Sequence, residues 1–288
     1  MTPVTLNTLS WGRAEAPLRA LLVHGLGSNA PLMWRFGTTL ADAGWHATAV
    51  DLRGHGLSPR ALEYAVEAHA TDIGATTPED GTAWDLVIGH SLGGASAIVA
   101  ATADPDWARR LVLIDPAVIV TSKAQANMRG SMADTVTETV ESVRAAHPEW
   151  HQQDVELKVL SVQQGSPWAV EQSNMHNEPW DVRAAASRLT IPAHVIAGDP
   201  AVMSIFAGAL AAEVLQNPVF SMSVIEGAGH SPHRDKPEAA TAELLRVLGG
   251  CAPPLPPPTC PMTSSPACTS APQFTTARTR FLRPILQS

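Results

Sequence analysis

The sequence predicts an α/β protein: a mostly parallel central sheet with helices on both faces and an α-helical insertion. Three observations predict it. Short apolar runs of strand length alternate with helix-spaced segments from residue 18 to 115 and again from 191 to 249, the rhythm of βαβ units. The stretch between them, 117–188, has amphipathic segments but no strand run. Each motif rich in glycine, histidine or aspartate follows an apolar run, and in a parallel sheet functional loops lie at the strands' carboxyl ends. At 288 residues and 45% apolar content, the chain can build one large domain with an insertion.

Val4 to Trp11 alternates apolar and polar residues and reads as a half-buried strand. Leu18 to Val23 is a buried strand ending in His24-Gly25-Leu26-Gly27. Met33 to Ala43 has helical spacing and is stopped by Gly44. Trp45 to Val50 is a strand ending in Asp51-Leu52-Arg53-Gly54-His55-Gly56-Leu57-Ser58, and a helix is expected from Glu63 to about Ala75. Trp84 to Ile88 is the next strand, Ala95 to Ala101 the helix behind it, and Arg110 to Asp115 a further strand. In the insertion, Met132, Val136, Val140 and Val143 mark one amphipathic helix and Val155 to Val162 a second. The sheet resumes at Ile191 to Gly198. A helix from Ile205 to Leu215, a strand from Val219 to Ile225 and a last helix from Pro237, closed by Gly249-Gly250, complete the pattern. The expected organisation is therefore a core of 1–116 and 189–250, a helical lid of 117–188, and a tail of 251–288.

The chain is organised around Gly89-His90-Ser91-Leu92-Gly93-Gly94, which lies between a strand and a helix. In a Gly-x-Ser-x-Gly turn of this kind, glycines relieve crowding on both flanks and leave the serine hydroxyl at the tip. The helix that follows points its N-terminal amides at the same spot. A serine hydroxyl needs a base to become a nucleophile. His230, in the glycine-rich loop after the last strand, is the expected base, with His233 second. The oxyanion hole is expected from the backbone N–H groups of Leu92 and of Leu26, the latter in the loop whose glycines at 25 and 27 allow close approach. A carboxylate must hold the imidazole. Asp199 and Asp115 each close a strand between Ser91 and His230. Asp199 is the favoured acid because its strand directly precedes the histidine strand; Asp115 is the alternative.

These residues resemble the α/β-hydrolase superfamily, in particular its lidded esterase, lipase and C–C hydrolase branch. His24-Gly25-Leu26-Gly27 looks like the family's oxyanion loop, and Asp51 to Ser58 like its Asp-x-Arg-Gly-His-Gly-x-Ser turn. Gly229-His230-Ser231-Pro232 looks like its histidine loop. The order serine, acid, histidine is the family's order, and the resemblance covers about residues 4–248. It implies a serine nucleophile; an aspartate at 91 would instead have matched the dehalogenase and epoxide hydrolase branches. One departure concerns the acid. The family's carboxylate usually stands two or three residues after the strand-ending glycine, whereas Asp199 follows Gly198 at once.

The net charge is −8, and every acidic residue precedes residue 244. No basic stripe marks a nucleic-acid or anionic-membrane partner. No signal-peptide pattern and no membrane-length apolar run is visible. The three cysteines fall at 251, 260 and 268, without metal-ligand spacing, so neither metal nor cofactor is expected. A cytoplasmic location fits a body without disulfides. From Cys251 onward the sequence is proline-rich and free of acidic residues, and reads as disordered. The expected function is hydrolysis of small carboxylic esters by a monomer or homodimer. A C–C bond hydrolase or lactonase with the same residues, and a ligand-binding homologue without turnover, are the other readings.

Overall fold

The structure, a computed structural model, describes residues 2–122, 125 and 137–249. The expectations placed on Met132, Val136 and the tail 251–288 lie outside the described residues. Nine strands occur among those described: β1 (Thr8–Trp11), β2 (Leu18–Val23), β3 (Trp45–Val50), β4 (Leu86–His90), β5 (Leu111–Ile114), β6 (Ile119–Val120), β7 (Trp180–Asp181), β8 (Ala193–Ala197) and β9 (Phe220–Val224). Seven form one sheet in the order β1-β3-β2-β4-β5-β8-β9. Only the edge pair β1–β3 is antiparallel; the others run parallel.

Side chains of the central strands divide between two cores with the two-residue period of a sheet buried on both faces. Leu21, Val23, Val87, Leu111, Leu113 and Val195 enter one core. Ala20, Leu22, Leu86, Ile88, Val112, Ile114 and Ile196 enter the other. The first face is covered by α2 (Val66–Gly74) and α3 (Leu92–Ala103). The second is covered by α1 (Trp34–Asp42) and the last helix, Pro237–Gly249. α3 is buried almost all round, because it also packs against α2 and the helix Arg183–Arg188. The parallel register sets Val23 beside Gly89, His90 beside Ile114, and Ile114 beside Ile196. The loops after β2, β4, β5 and β8 therefore leave the sheet side by side.

Three elements start three or four residues later than their periodicity predicts, and in each case the early amides have other partners. The first strand begins at Thr8, since the Val4 amide donates to Asp72 and the Asn7 amide to Ser58 Oγ. α2 begins at Val66, because the Tyr64 and Val66 amides donate to His176 and Asn177 of the insertion. The helix expected from Ile205 begins at Gly208, because the Ile205 and Phe206 amides donate to the carboxylate of Asp115.

The insertion contains the helices Val140–Ala146, Gln152–Gln164, Pro167–Met175 and Arg183–Arg188. It also contains strand pairing that the sequence did not signal. Two-residue β6 and β7 form an antiparallel ladder, anchored by Trp180 Nε1 donating to the Ala117 carbonyl at 2.8 Å. Runs this short have no readable period. No helix among the described residues is long and apolar enough to cross a membrane.

Five buried histidines (His24, His55, His69, His90 and His233) have pKa values below the ordinary value, in every case chiefly through burial. His24 is pushed down to about 3. Because their folded pKa values lie below the unfolded value of about 6.5, all five take up protons on unfolding. Their favourable contribution is complete above that pH and is lost progressively as pH falls toward the folded values, at up to about 1.4 kcal/mol per pH unit for each. The expected outcome is a melting temperature that drops steeply between pH 6.5 and 4. A flat thermal-melt profile over that window would contradict the buried neutral assignment.

Candidate active site

Ser91 stands between β4 and α3 with φ 52° and ψ −115°, a region that non-glycine residues occupy only when their surroundings enforce it. Its amide donates to the Ile114 carbonyl at 3.0 Å, and its carbonyl accepts from Ala95 at 3.0 Å and Ala117 at 3.1 Å. Glycine is required around it for lack of space. A Cβ on Gly93 would run into the carbonyl oxygens of Val23 and His24, and one on Gly89 would lie 2.6 Å from the Gly93 oxygen. The side chain of Ser91 is partly exposed while its neighbours in the turn are buried.

The structure brings His230 to Asp115 and not to Asp199. His230 Nδ1 lies 2.6 Å from Asp115 Oδ2. The residue also packs beside the elbow: its carbonyl is 3.0 Å from His90 Nε2, and the two imidazole centroids are 4.9 Å apart. The expected pairing of Asp199 with His230 is thus corrected. Asp199 accepts from the Ala201 amide at 2.8 Å and the Gly227 amide at 2.9 Å. Its own amide donates to the Ala228 carbonyl. It ties two loops together at the surface, and the Gly227 bond above all keeps it ionised below the usual carboxylate range. With no spacer after Gly198, its carboxylate remains at the turn.

Asp115 reaches the histidine because it sits one residue beyond β5 with φ 40°, a left-handed conformation that aspartate tolerates better than most residues. Its amide continues the β5–β8 ladder to the Ile196 carbonyl at 3.0 Å. The carboxylate is fully buried. It accepts from Ser204 Oγ at 2.5 Å and the Ile205 amide at 3.0 Å, with longer bonds from Gly198 and Phe206. Burial pushes its pKa up, but the hydrogen bond and charge of His230, then Ser204 and Ile205, outweigh burial and leave it below the ordinary value. Ser204 carried no sequence signal, being a lone serine in a loop. His233, the second candidate base, is 1% exposed and packs on Phe36 and His90 at centroid distances of 5.4 and 4.9 Å.

The loop carrying Leu26 is held against the elbow: a Cβ on Gly25 would sit 3.0 Å from Ser91 Cβ. His24 braces this loop with both ring nitrogens. Nδ1 is 2.7 Å from the Gly25 carbonyl, and Nε2 accepts from the Leu52 amide at 3.0 Å. His55 Nε2 accepts from the Gly27 amide at 3.1 Å. Asp51 takes the Ala30 and Leu57 amides and Asn7 Nδ2. Buried Arg53 grips Asp72 through two bonds of 2.6 Å. The Asp51–Ser58 turn is therefore scaffolding for the loop at Leu26. Leu92, the residue after Ser91, is the first of α3.

The helix Gln152–Gln164 lies over the same region. Ser161 Oγ donates to the Gly27 carbonyl, Asn29 Nδ2 to Gln164, and Arg35 and Trp34 to Asp154. A cavity of about 480 Å³ opens beside His230, lined in part by Pro148, Trp150, Val202, Met203 and Lys236. Among the described residues, no group of three or more His, Cys, Asp or Glu side chains is placed to hold a metal ion.

This geometry accompanies a family match. The model of the alpha/beta hydrolase family covers residues 20–244, and the chain belongs to that family. It is 27% identical over 201 residues to a pimeloyl-[acyl-carrier protein] methyl ester esterase of Neisseria meningitidis, covering 64% of this chain and 75% of that one. It is 37% identical over 104 residues to lipase LipV of Mycobacterium tuberculosis, covering 36% of this chain but only 39% of the lipase. Among solved structures, E-2-(acetamidomethylene)succinate hydrolase superposes with a TM-score of 0.73 at 23% identity, over 85% of this chain and 96% of that one. The last similarity establishes the fold.

The crowding at the elbow has a measurable consequence. Gly93→Ala is expected to destabilise the protein by ~1–3 kcal/mol through overpacking against the β2 backbone. Gly74→Ala, where a Cβ meets nothing within 4 Å, should be neutral or slightly stabilising. Urea midpoints of the two variants check this; equal midpoints would contradict it.

Proposed function

We propose that the chain is a serine hydrolase of small carboxylic esters, with Ser91 as nucleophile, His230 as base and Asp115 as acid. The observation that carries this reading is the 2.6 Å contact of His230 Nδ1 with buried Asp115, next to a serine at φ 52°. With Nδ1–H donated to the carboxylate, Nε2 is left basic. His230 takes the Ser91 proton as the hydroxyl oxygen attacks the ester carbonyl. The tetrahedral oxyanion is met by the amides of Leu26 and Leu92. Collapse breaks the bond to the alcohol, which leaves with the proton from His230. Water then enters, gives a proton to His230, and its hydroxyl displaces Ser91 from the acyl group, releasing the acid as His230 returns that proton to the Ser91 oxygen. Asp115 stays ionised throughout and stabilises the imidazolium.

The names of the relatives, lipases and esterases among them, support ester substrates. The segment 117–188 is proposed to act as the lid, since its longest described helix lies on the loop bearing Leu26. A panel of 4-nitrophenyl esters tests the assignment. Ser91→Ala should lower kcat on the order of 10⁴-fold or more in a folded protein, and ordinary turnover by that variant would end the reading.

Asp115→Asn should cost roughly 10³ to 10⁴-fold in kcat, and Asp199→Asn only a few-fold, because its bonds serve surface loops. Kinetics on one ester, with folding checked by circular dichroism, decide the acid. A large loss at Asp199 with a small one at Asp115 would reverse the assignment.

A further inference from the structure

Arg234 follows the histidine loop, in the short helix Pro232–Asp235, and is 6% exposed. Its Nε and Nη2 are both buried and have no hydrogen-bond partner in the protein. Those two atoms form one edge of the guanidinium, the fork that matches the two oxygens of a carboxylate. Buried Arg53 uses this edge that way, presenting Nε and Nη2 to the two oxygens of Asp72, and half-buried Arg35 turns the same edge toward one oxygen of Asp154. At Arg234 the nearby carboxylates are engaged elsewhere. Asp154 is held by Arg35 and the Trp34 indole, and Asp235 by the Gly229 amide and the Trp150 indole. The Trp150 ring faces the guanidinium, with its centroid 5.3 Å away.

Asp154 and Asp235 act on the charge of Arg234 but neither meets this edge, and buried donors without an acceptor are destabilising, so the retention of this edge needs a reason. Its position supplies one. Arg234 is four residues beyond His230 in the loop that abuts the elbow. Burial first, and then charges that include Arg234, hold His24 and His90 neutral, and these are the residues preceding Gly25 and Ser91. The same charge acts on Lys158 of the helix over the Leu26 loop, after burial and Glu138. In the structure the guanidinium lies against the Trp150 ring, and Trp150 lines the cavity beside His230.

We propose that the Nε–Nη2 edge of Arg234 binds a carboxylate carried by the substrate, so that the preferred esters are half-esters of short dicarboxylic acids or esters with an equivalent acid group. This rests on the ester hydrolase reading for the reaction, but the anion site can be tested apart from it. The first arm compares mono-4-nitrophenyl glutarate with 4-nitrophenyl valerate, which have acyl chains of equal length. Wild type should favour the glutarate in kcat/KM by roughly 10- to 100-fold, the range of a charge-assisted hydrogen bond. Arg234→Met should bring the ratio toward one, and Arg234→Lys should restore part of it. The second arm measures glutarate binding to Ser91→Ala by calorimetry; adding Arg234→Met should weaken it about tenfold or more.

If no variant cleaves any ester but glutarate binding still depends on Arg234, the hydrolase reading falls and the site stands. An unchanged substrate ratio together with unchanged glutarate affinity would overturn the proposal. The thermal melt separates a structural role: with an unpaired charge removed, Arg234→Met should melt at the wild-type temperature or above. A drop of many degrees would make the arginine structural and also overturn the proposal.

Discussion

The contact between His230 and Asp115 depends on the sheet more than on either residue. β5 and β8 are parallel neighbours with Ile114 beside Ile196, and the Asp115 amide extends that ladder by one bond. The left-handed turn at Asp115 then presents the carboxylate to the loop after β8, where Ser204 and the Ile205 amide fix it. Those same bonds delay the following helix to Gly208. A carboxylate with this many donors stays ionised although buried, because the hydrogen bonds and the nearby imidazole outweigh desolvation. The histidine loop finds it by coming back across β8 and β9.

A second layer of polar contacts holds the other half of the site. The Leu26 loop has little side-chain bulk of its own. It is placed by His24 and His55, whose rings lie 5.3 Å apart, and by Asp51, and a Cβ on Gly56 would intrude on the Asp51 carboxylate. Burial keeps both histidines neutral, so each can accept a backbone amide at Nε2 while Nδ1 faces a carbonyl. In this chain an Asp-x-Arg-Gly-His-Gly-x-Ser turn is structural support for the loop at Leu26. None of its residues is placed to react.

Arg53 meets Asp72 and Arg35 meets Asp154, each through the same edge of the guanidinium. Against that background Arg234 is the departure, a guanidinium whose neighbouring carboxylates hold indole and amide donors instead.

The sequence by itself determined the architecture and two of the site's landmarks. Apolar runs of strand length and their spacing from helical segments carry the parallel sheet, since burial on both faces leaves a continuous signature. Gly89, Ser91 and Gly93 carry the elbow because local crowding admits few alternatives, and Gly229-His230 is legible for the same local reason. The tertiary structure alone decided which aspartate the histidine meets. Asp115 and Asp199 both end strands, and chain order alone favours Asp199. Their difference lies in strand register, in the φ of 40° at Asp115, and in amides contributed from residues 204–206. The pairing of β6 with β7, the late start of α2 and the unpartnered edge of Arg234 are likewise contacts between distant segments. Such contacts leave no period and no motif in the chain, because each depends on where the other segment comes to rest.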